Sequence, residues 1–250
     1  MCELFGFSAK DRRRLNDSLK AFYAHSEKHP DGWGLACFSK AGIPVIEKEP
    51  VTANASAYLA KRLSAPIEER ILIAHIRRAS IGALTVENCH PFARRDNGGR
   101  VWTLAHNGTV AEPDRRLESG WGRPFGQTDS ERILLHLVNR INLAQRERGR
   151  TLDEGERFDL LAARIAELAK GNSFNLIFFD GEILYVHNNV KGAMHCREAD
   201  GALTFCTLPL PEGTWNPVPF TCLIAVRDGR IIRVGEPHGH DFVPPPSKGE

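Results

Sequence analysis

The chain has 250 residues, with 33 Lys plus Arg against 31 Asp plus Glu, a net charge of +2, 42% apolar residues and 26% charged residues. These are the proportions of an ordinary globular chain, which excludes a collagenous, coiled-coil or intrinsically disordered protein and allows a substantial core in one large domain or two small ones. The near-neutral balance excludes a dedicated polyanion binder, so no nucleic-acid partner is expected.

Taken in chain order, residues 3–8 read as a short apolar strand, 11–24 as a weak helix, 34–38 as a strand and 54–63 as a second weak helix. Residues 71–76 are a branched apolar run bounded by charge, the pattern of a buried strand. Residues 101–105 repeat it and end at His106-Asn107-Gly108. From Asp129 to about residue 148, Ile133, Leu134, Leu137, Val138 and Ile141 recur at helical spacing, with Thr128 or Asp129 available as N-cap. A further helix over 154–169 aligns Phe158, Leu161, Ile165 and Leu168 and stops at Gly171. Two hairpins follow, 175–187 turning at Asp180-Gly181 and 222–234 turning at Asp228-Gly229; Asp-Gly supplies the two positive φ angles of a type I′ turn. Residues 243–250 form a polar, Pro-rich tail that is expected to be extended and frayed. Helices between blocks of antiparallel strands predict an α+β fold in a single domain over residues 2–242.

Cysteines stand at 2, 37, 89, 196, 206 and 222, with no Cys-x-x-Cys pair and too few for a disulfide scaffold. The N-terminus carries no apolar signal segment, and no run reaches the length of a membrane span. A cytoplasmic location with reduced thiols and no membrane association is therefore expected.

Cys2 is the unusual one. Removal of Met1 would place a thiol and a free α-amine on one residue, and an amine of pKa about 7.7–8.0 can act as the base for its own thiol. Polar clusters also gather at strand ends and helix starts: His29-Pro30-Asp31-Gly32-Trp33-Gly34, His75-Ile76-Arg77-Arg78-Ala79-Ser80-Ile81-Gly82, Asn88-Cys89-His90-Pro91, His106-Asn107-Gly108 and Thr128-Asp129-Ser130-Glu131. Such junctions are where sites are built. The order Cys2, His-x-Arg-x-x-Ser-x-Gly, His-Asn-Gly and Thr-Asp-Ser-Glu resembles the class II glutamine amidotransferases, the N-terminal-nucleophile amidases, and in particular their small stand-alone members.

The resemblance implies a four-layer αββα sandwich of two antiparallel sheets. It implies that Cys2 is the nucleophile, that Asn107 and Gly108 form the oxyanion hole, and that Arg77 and Ser80 hold the glutamine α-carboxylate. Asp129 would take the substrate ammonium, while Asp31, Gly32, Trp33, His90 and His106 are candidates for the pocket. The activity implied is hydrolysis of the glutamine side-chain amide through a γ-glutamyl thioester, with no cofactor. His75, His90 and His106 show no compact metal-ligand spacing, so no metal is expected. The length leaves room for the amidase domain alone. Two alternatives follow: a separate ammonia-accepting synthetase subunit, or an amidohydrolase acting on γ-glutamyl amides, peptides or thiol metabolites. A non-catalytic binding module that keeps the fold is the alternative of another class.

Overall fold

A computed structural model describes residues 2–111, 117 and 122–244. Met1 and residues 245–250 of the tail lie outside them. The described residues form two antiparallel sheets. The first holds seven strands in the order β11-β9-β10-β1-β4-β2-β3, from β1 (Glu3–Arg14), β2 (Trp33–Phe38), β3 (Pro44–Glu49), β4 (Glu68–Ile76), β9 (His195–Ala199), β10 (Ala202–Cys206) and β11 (Asn216–Pro217). The second holds six in the order β13-β12-β8-β7-β6-β5, from β5 (Phe92–Arg95), β6 (Val101–Thr109), β7 (Ser173–Phe179), β8 (Leu184–His187), β12 (Leu223–Arg227) and β13 (Arg230–Val234).

Three apolar clusters show how these pieces stack. Leu4, Ala36, Ile73, Ala105, Ile177 and Phe205 fill the space between the sheets. Phe5, Phe7, Leu35 and Leu72 pack on the outer face of the first sheet against Leu19, Phe22 and Leu59 of α1 (Asn16–Ala24) and α2 (Ala57–Ser64). Leu104, Phe174, Leu176 and Phe178 pack on the outer face of the second against Ile133, Leu137, Leu161 and Ile165 of α3 (Asp129–Arg148) and α4 (Glu154–Ala169). Both faces of each sheet are apolar because each is covered. The result is the four-layer αββα sandwich, and each fully buried large side chain contributes about 1.5–3 kcal/mol through desolvation.

Several boundaries differ from the sequence reading, each for a physical reason. Residues 11–14 continue β1 instead of starting a helix, because Arg13 and Arg14 pair with Glu69 and Glu68 of β4 after a register shift. Position 228 does take the two-residue turn, with φ of 50° at Asp228 and 74° at Gly229. The Asp180-Gly181 turn does not. Only Gly181 has positive φ there, and the strands end at Phe179 and restart at Leu184. The wholly buried Asp180 carboxylate accepts the Glu182 and Ile183 N–H groups and the Arg157 guanidinium at 3.0 Å, so its side chain builds a longer turn. A third Asp-Gly turn, at Asp200-Gly201 between β9 and β10, went unread; it has φ of 51° and 71°. Edge strands β3 and β5, short and largely polar, also lacked a sequence signal.

Candidate active site

Strand alternation decides which of the motif residues meet. Along β1, Phe5 and Phe7 face the helices and Leu4 faces the other sheet, so Cys2 lies on the inter-sheet side. Along β4, Ala74 and Ile76 face the helices and Ile73 the gap, which puts His75 and Arg77 beside Cys2. Along β6, Leu104 faces the helices and Ala105 the gap, so Asn107 points inward while His106 and Gly108 point toward α3. Cys2, Arg77 and Asn107 therefore come together at one end of the inter-sheet space, from three strands in two sheets.

The Cys2 thiol sits against the turn that follows β4. The Arg78 N–H donates to its Sγ at 3.3 Å, and its S–H faces the Arg78 carbonyl at 3.4 Å. Burial pushes the thiol above its ordinary pKa, while the Arg78 N–H and the Arg77 charge pull it down and Asp129 pushes it up. Arg77 and Asp129 are thus within electrostatic reach of the sulfur. A thiol in such a setting is held protonated near neutral pH and needs a base to become a nucleophile.

Arg77 is almost wholly buried. Its Nη2 donates to the Ile81 and Gly82 carbonyls at 3.0 and 3.3 Å, and its Nη1 to Ala83 at 3.2 Å, so its fork organises the loop that follows it. The Asp31-Gly32 turn locks onto the same segment. Gly32 O accepts the Arg77 N–H at 2.7 Å, and Asp31 Oδ2 accepts the Ala79 N–H at 2.7 Å. Gly32 has φ of 146°, and a Cβ there would lie 2.7 Å from the Cys89 sulfur. Ser80 is exposed on the loop, and Arg78 also faces solvent.

Asn107 is buried, and its Oδ1 has no hydrogen-bond partner among the described residues. Asp129 is buried at the start of α3 but is not its cap. Thr128 is, accepting the Glu131 N–H, while Asp129 Oδ2 accepts the Val110 N–H at 2.8 Å just after β6. The acid thereby ties the helix to the Asn107-Gly108 strand.

The other expected pocket residues divide. His90 and His75 meet Nδ1 to Nδ1 at 3.3 Å, and burial holds both well below the usual histidine pKa, so both are neutral. His106 is turned away, toward Ser130 Oγ at 3.0 Å, and burial lowers it too. Trp33 is fully buried in the helix-side core, with Nε1 on Glu49 at 3.1 Å and its ring stacked on Tyr58, so it packs instead of walling a pocket. Two residues were missed. Glu3 is buried next to Cys2 with His25 at 2.8 Å and His29 at 3.1 Å, and nothing in an alternating strand singles it out. Asn175 donates to the Asn107 carbonyl at 3.0 Å; a polar residue opening an otherwise apolar strand was the available signal. Two surface grooves, lined by residues such as Lys10, Arg13, Lys40, Arg70 and Arg227, carry none of the motif residues.

Comparison with known proteins is consistent with this geometry. The sequence model of the family "Glutamine amidotransferases class-II" matches residues 1–200. An uncharacterised protein of Methanocaldococcus jannaschii is 34% identical over 194 residues, 77% of this chain and 52% of its own, so the chain spans about half that relative's length. YafJ of Escherichia coli, assigned by its name to the glutamine amidotransferases, is 32% identical over 190 residues, 75% of this chain and 72% of its own. Among solved structures, a glutamine amidotransferase of Pseudomonas aeruginosa, so described from prediction, superposes with a TM-score of 0.65 at 23% identity, covering 93% of this chain and 100% of its own. The glutamine phosphoribosylpyrophosphate amidotransferase of Bacillus subtilis superposes with a TM-score of 0.70 at 15% identity, over 95% of this chain and 49% of its own. At those identities the structures speak for the fold, which is that of the N-terminal-nucleophile amidotransferase domain.

Proposed function

The chain belongs to the class II glutamine amidotransferases, and we propose that it hydrolyses the side-chain amide of glutamine with Cys2, freed of Met1, as the nucleophile. The observation that carries this reading is that the half-buried Cys2 thiol lies within electrostatic reach of Arg77 and Asp129, at the end of the sandwich where the buried Asn107 points inward. The Cys2 thiol gives its proton to the α-amine and the sulfur attacks the amide carbon. The oxyanion is held by the Asn107 side chain and the Gly108 N–H, an arrangement in which each donor is worth about 10²–10³ in rate. The C–N bond breaks as the α-amine returns the proton to departing ammonia. Water then cleaves the γ-glutamyl thioester, giving glutamate and restoring the thiol.

Arg77 grips the α-carboxylate and Asp129 the ammonium, with the exposed Ser80 on the loop that follows Arg77 available to the carboxylate. The guanidinium is already engaged with three carbonyls of residues 81–83, so a carboxylate binds by taking over part of that set. The residues at the α-amino-acid head read the same group in glutamine and in any γ-glutamyl amide. A γ-glutamyl peptide or thiol metabolite is therefore the second substrate reading, and a separate ammonia-accepting synthetase the second partner reading. We place the reaction within one domain spanning residues 2–242. No helix among the described residues is long and apolar enough to cross a membrane.

The test is glutamate release by Met-free protein over a panel of glutamine and γ-glutamyl dipeptides, beside Cys2→Ala. Loss of turnover in Cys2→Ala of at least 10³-fold is expected; turnover that survives the substitution refutes the mechanism.

A further inference from the structure

A ladder of buried asparagines runs from the oxyanion strand to a segment that the family match does not reach. Asn175 stands directly opposite Asn107 in the β6–β7 pairing, and its Nδ2 donates to the Asn107 carbonyl at 3.0 Å. That carbonyl belongs to the same peptide unit as the Gly108 N–H. In a planar trans peptide the two point in opposite directions, so holding one aims the other.

The orientation of Asn175 is itself dictated. Its Oδ1 accepts the Asn189 N–H at 3.2 Å, which leaves Nδ2 for Asn107. Asn189, fully buried, accepts the Phe174 N–H at 2.8 Å and donates to the Asn172 carbonyl at 2.9 Å. It is clamped from the other side by residues 235–242. The His240 carbonyl accepts from Asn189 Nδ2 at 3.0 Å, and the Phe242 N–H donates to the Asn189 carbonyl at 2.8 Å. The segment is pinned further where His238 Nε2 meets His187 Nε2 at 2.9 Å and the His238 N–H donates to the Thr221 carbonyl at 2.8 Å. His187 in turn donates from Nδ1 to the Phe174 carbonyl at 2.7 Å, on the strand position opposite Gly108.

We propose that Asn175 is a positioning residue that aims the Gly108 N–H at the oxyanion, and that residues 235–242 are the strap that keeps it in place. The ladder touches neither the thiol nor the gripping residues Arg77 and Asp129. Its effect therefore falls on the chemical step and not on binding. The inference rests on the amidase reading above.

The experiment compares wild type, Asn175→Asp and His238→Ala as Met-free proteins. Asn175→Asp keeps the acceptor for Asn189 and removes the donor to Asn107. We expect kcat for glutamine to fall about 10–100-fold with KM within threefold, because a backbone donor misplaced by a fraction of an ångström loses most of its effect. Alkylation of Cys2 by iodoacetamide, which needs no oxyanion hole, is expected within twofold of wild type. His238→Ala, at the periphery, is expected to lower kcat about 3–10-fold with the same KM. If Asn175→Asp fails to melt cooperatively, His238→Ala decides. Unchanged kcat in a folded Asn175→Asp, or in His238→Ala when it must decide, overturns the inference, as does a loss carried by KM or by alkylation. A wild type that releases no glutamate from any γ-glutamyl amide overturns the amidase reading instead, and is told apart by its own inactivity.

Discussion

On the proposed mechanism, Gly108→Ala separates the contribution of the Asn107-Gly108 strand from that of the nucleophile. A Cβ at Gly108 would stand 1.9 Å from the Ser173 carbonyl oxygen, 2.6 Å from its carbon and 2.7 Å from His106 Nε2. Ordinary contact begins at 3.4 Å, so β6 and β7 must separate by about 1.5 Å at this point. Neither neighbour is a flexible chain end: one is backbone paired across the sheet, and the other is a buried ring bonded to Ser130. Overpacking of this kind costs about 1–3 kcal/mol, which for a chain of this size lowers Tm by about 2–12 °C. The larger effect is on catalysis. The Gly108 N–H moves with its strand, and a displacement of about 1 Å at a transition-state donor costs about 10²-fold or more. The expected result is kcat reduced 10²–10³-fold, KM for glutamine within threefold, and a protein that still melts cooperatively. Gly149→Ala is the control: it also strains a positive φ, 64° at the end of α3, but its Cβ would meet nothing within 4 Å. It should cost about 1 kcal/mol and leave kcat unchanged. A Gly108→Ala enzyme with kcat within threefold of wild type would refute the assignment of this strand to the oxyanion.

Two further outcomes concern stability. Burial holds His187 at about 3 and His136 at about 4 in the folded protein, against about 6.5 unfolded. These two groups alone let the unfolded state bind up to two more protons below pH 6.5, and the likewise depressed His75, His90 and His106 add to them, so stability falls as pH falls, at a slope that these two alone bring to about 2.7 kcal/mol per unit at the limit; urea melts at pH 7.0 and 5.5 check this, and equal stabilities would contradict it. Asp180→Asn keeps the turn acceptor but strips the charge from the buried Arg157 pair, leaving that guanidinium the half-exposed Glu182 and the Leu152 carbonyl. It should cost about 3 kcal/mol while glutamate release stays at the wild-type rate, since Asp180 lies at the opposite end of β7 from Asn175.

The sequence made the inner strands and the two long helices legible because their apolar residues repeat at a single period over many positions. It did not show where β1 ends, because Arg13 and Arg14 are charged residues held extended by cross-strand Glu68 and Glu69, a pairing between positions more than 50 residues apart. The motif residues were legible as local strings, yet their strings misled about facing. Trp33 and His106 belong to the same runs as Gly32 and Asn107, and alternation sends them to the opposite side of the sheet. Asn175 and Glu3 were not legible, since their importance comes from what lies across the ladder and not from any local pattern.

That division explains how the site is put together. Cys2 just before β1, Arg77 just after β4 and Asn107 near the end of β6 all lie on the inter-sheet side, where packing is apolar up to these positions. Among the described residues, the apolar inter-sheet cluster gains nothing on these three strands beyond Leu4, Ile73 and Ala105 at this end. Polar side chains there meet a low-dielectric wall on one side and the loops on the other. The wall explains why the thiol is pushed up and the histidines are held neutral. Arg77, the side-chain cation within electrostatic reach of the thiol, is anchored by carbonyls, with no carboxylate partner among the described residues. A carboxylate partner would cancel its charge, whereas carbonyl dipoles hold the guanidinium in place and leave the charge for a substrate. Arg77 therefore shapes the loop through its guanidinium, and on the proposed mechanism that same guanidinium is the group that would meet the α-carboxylate.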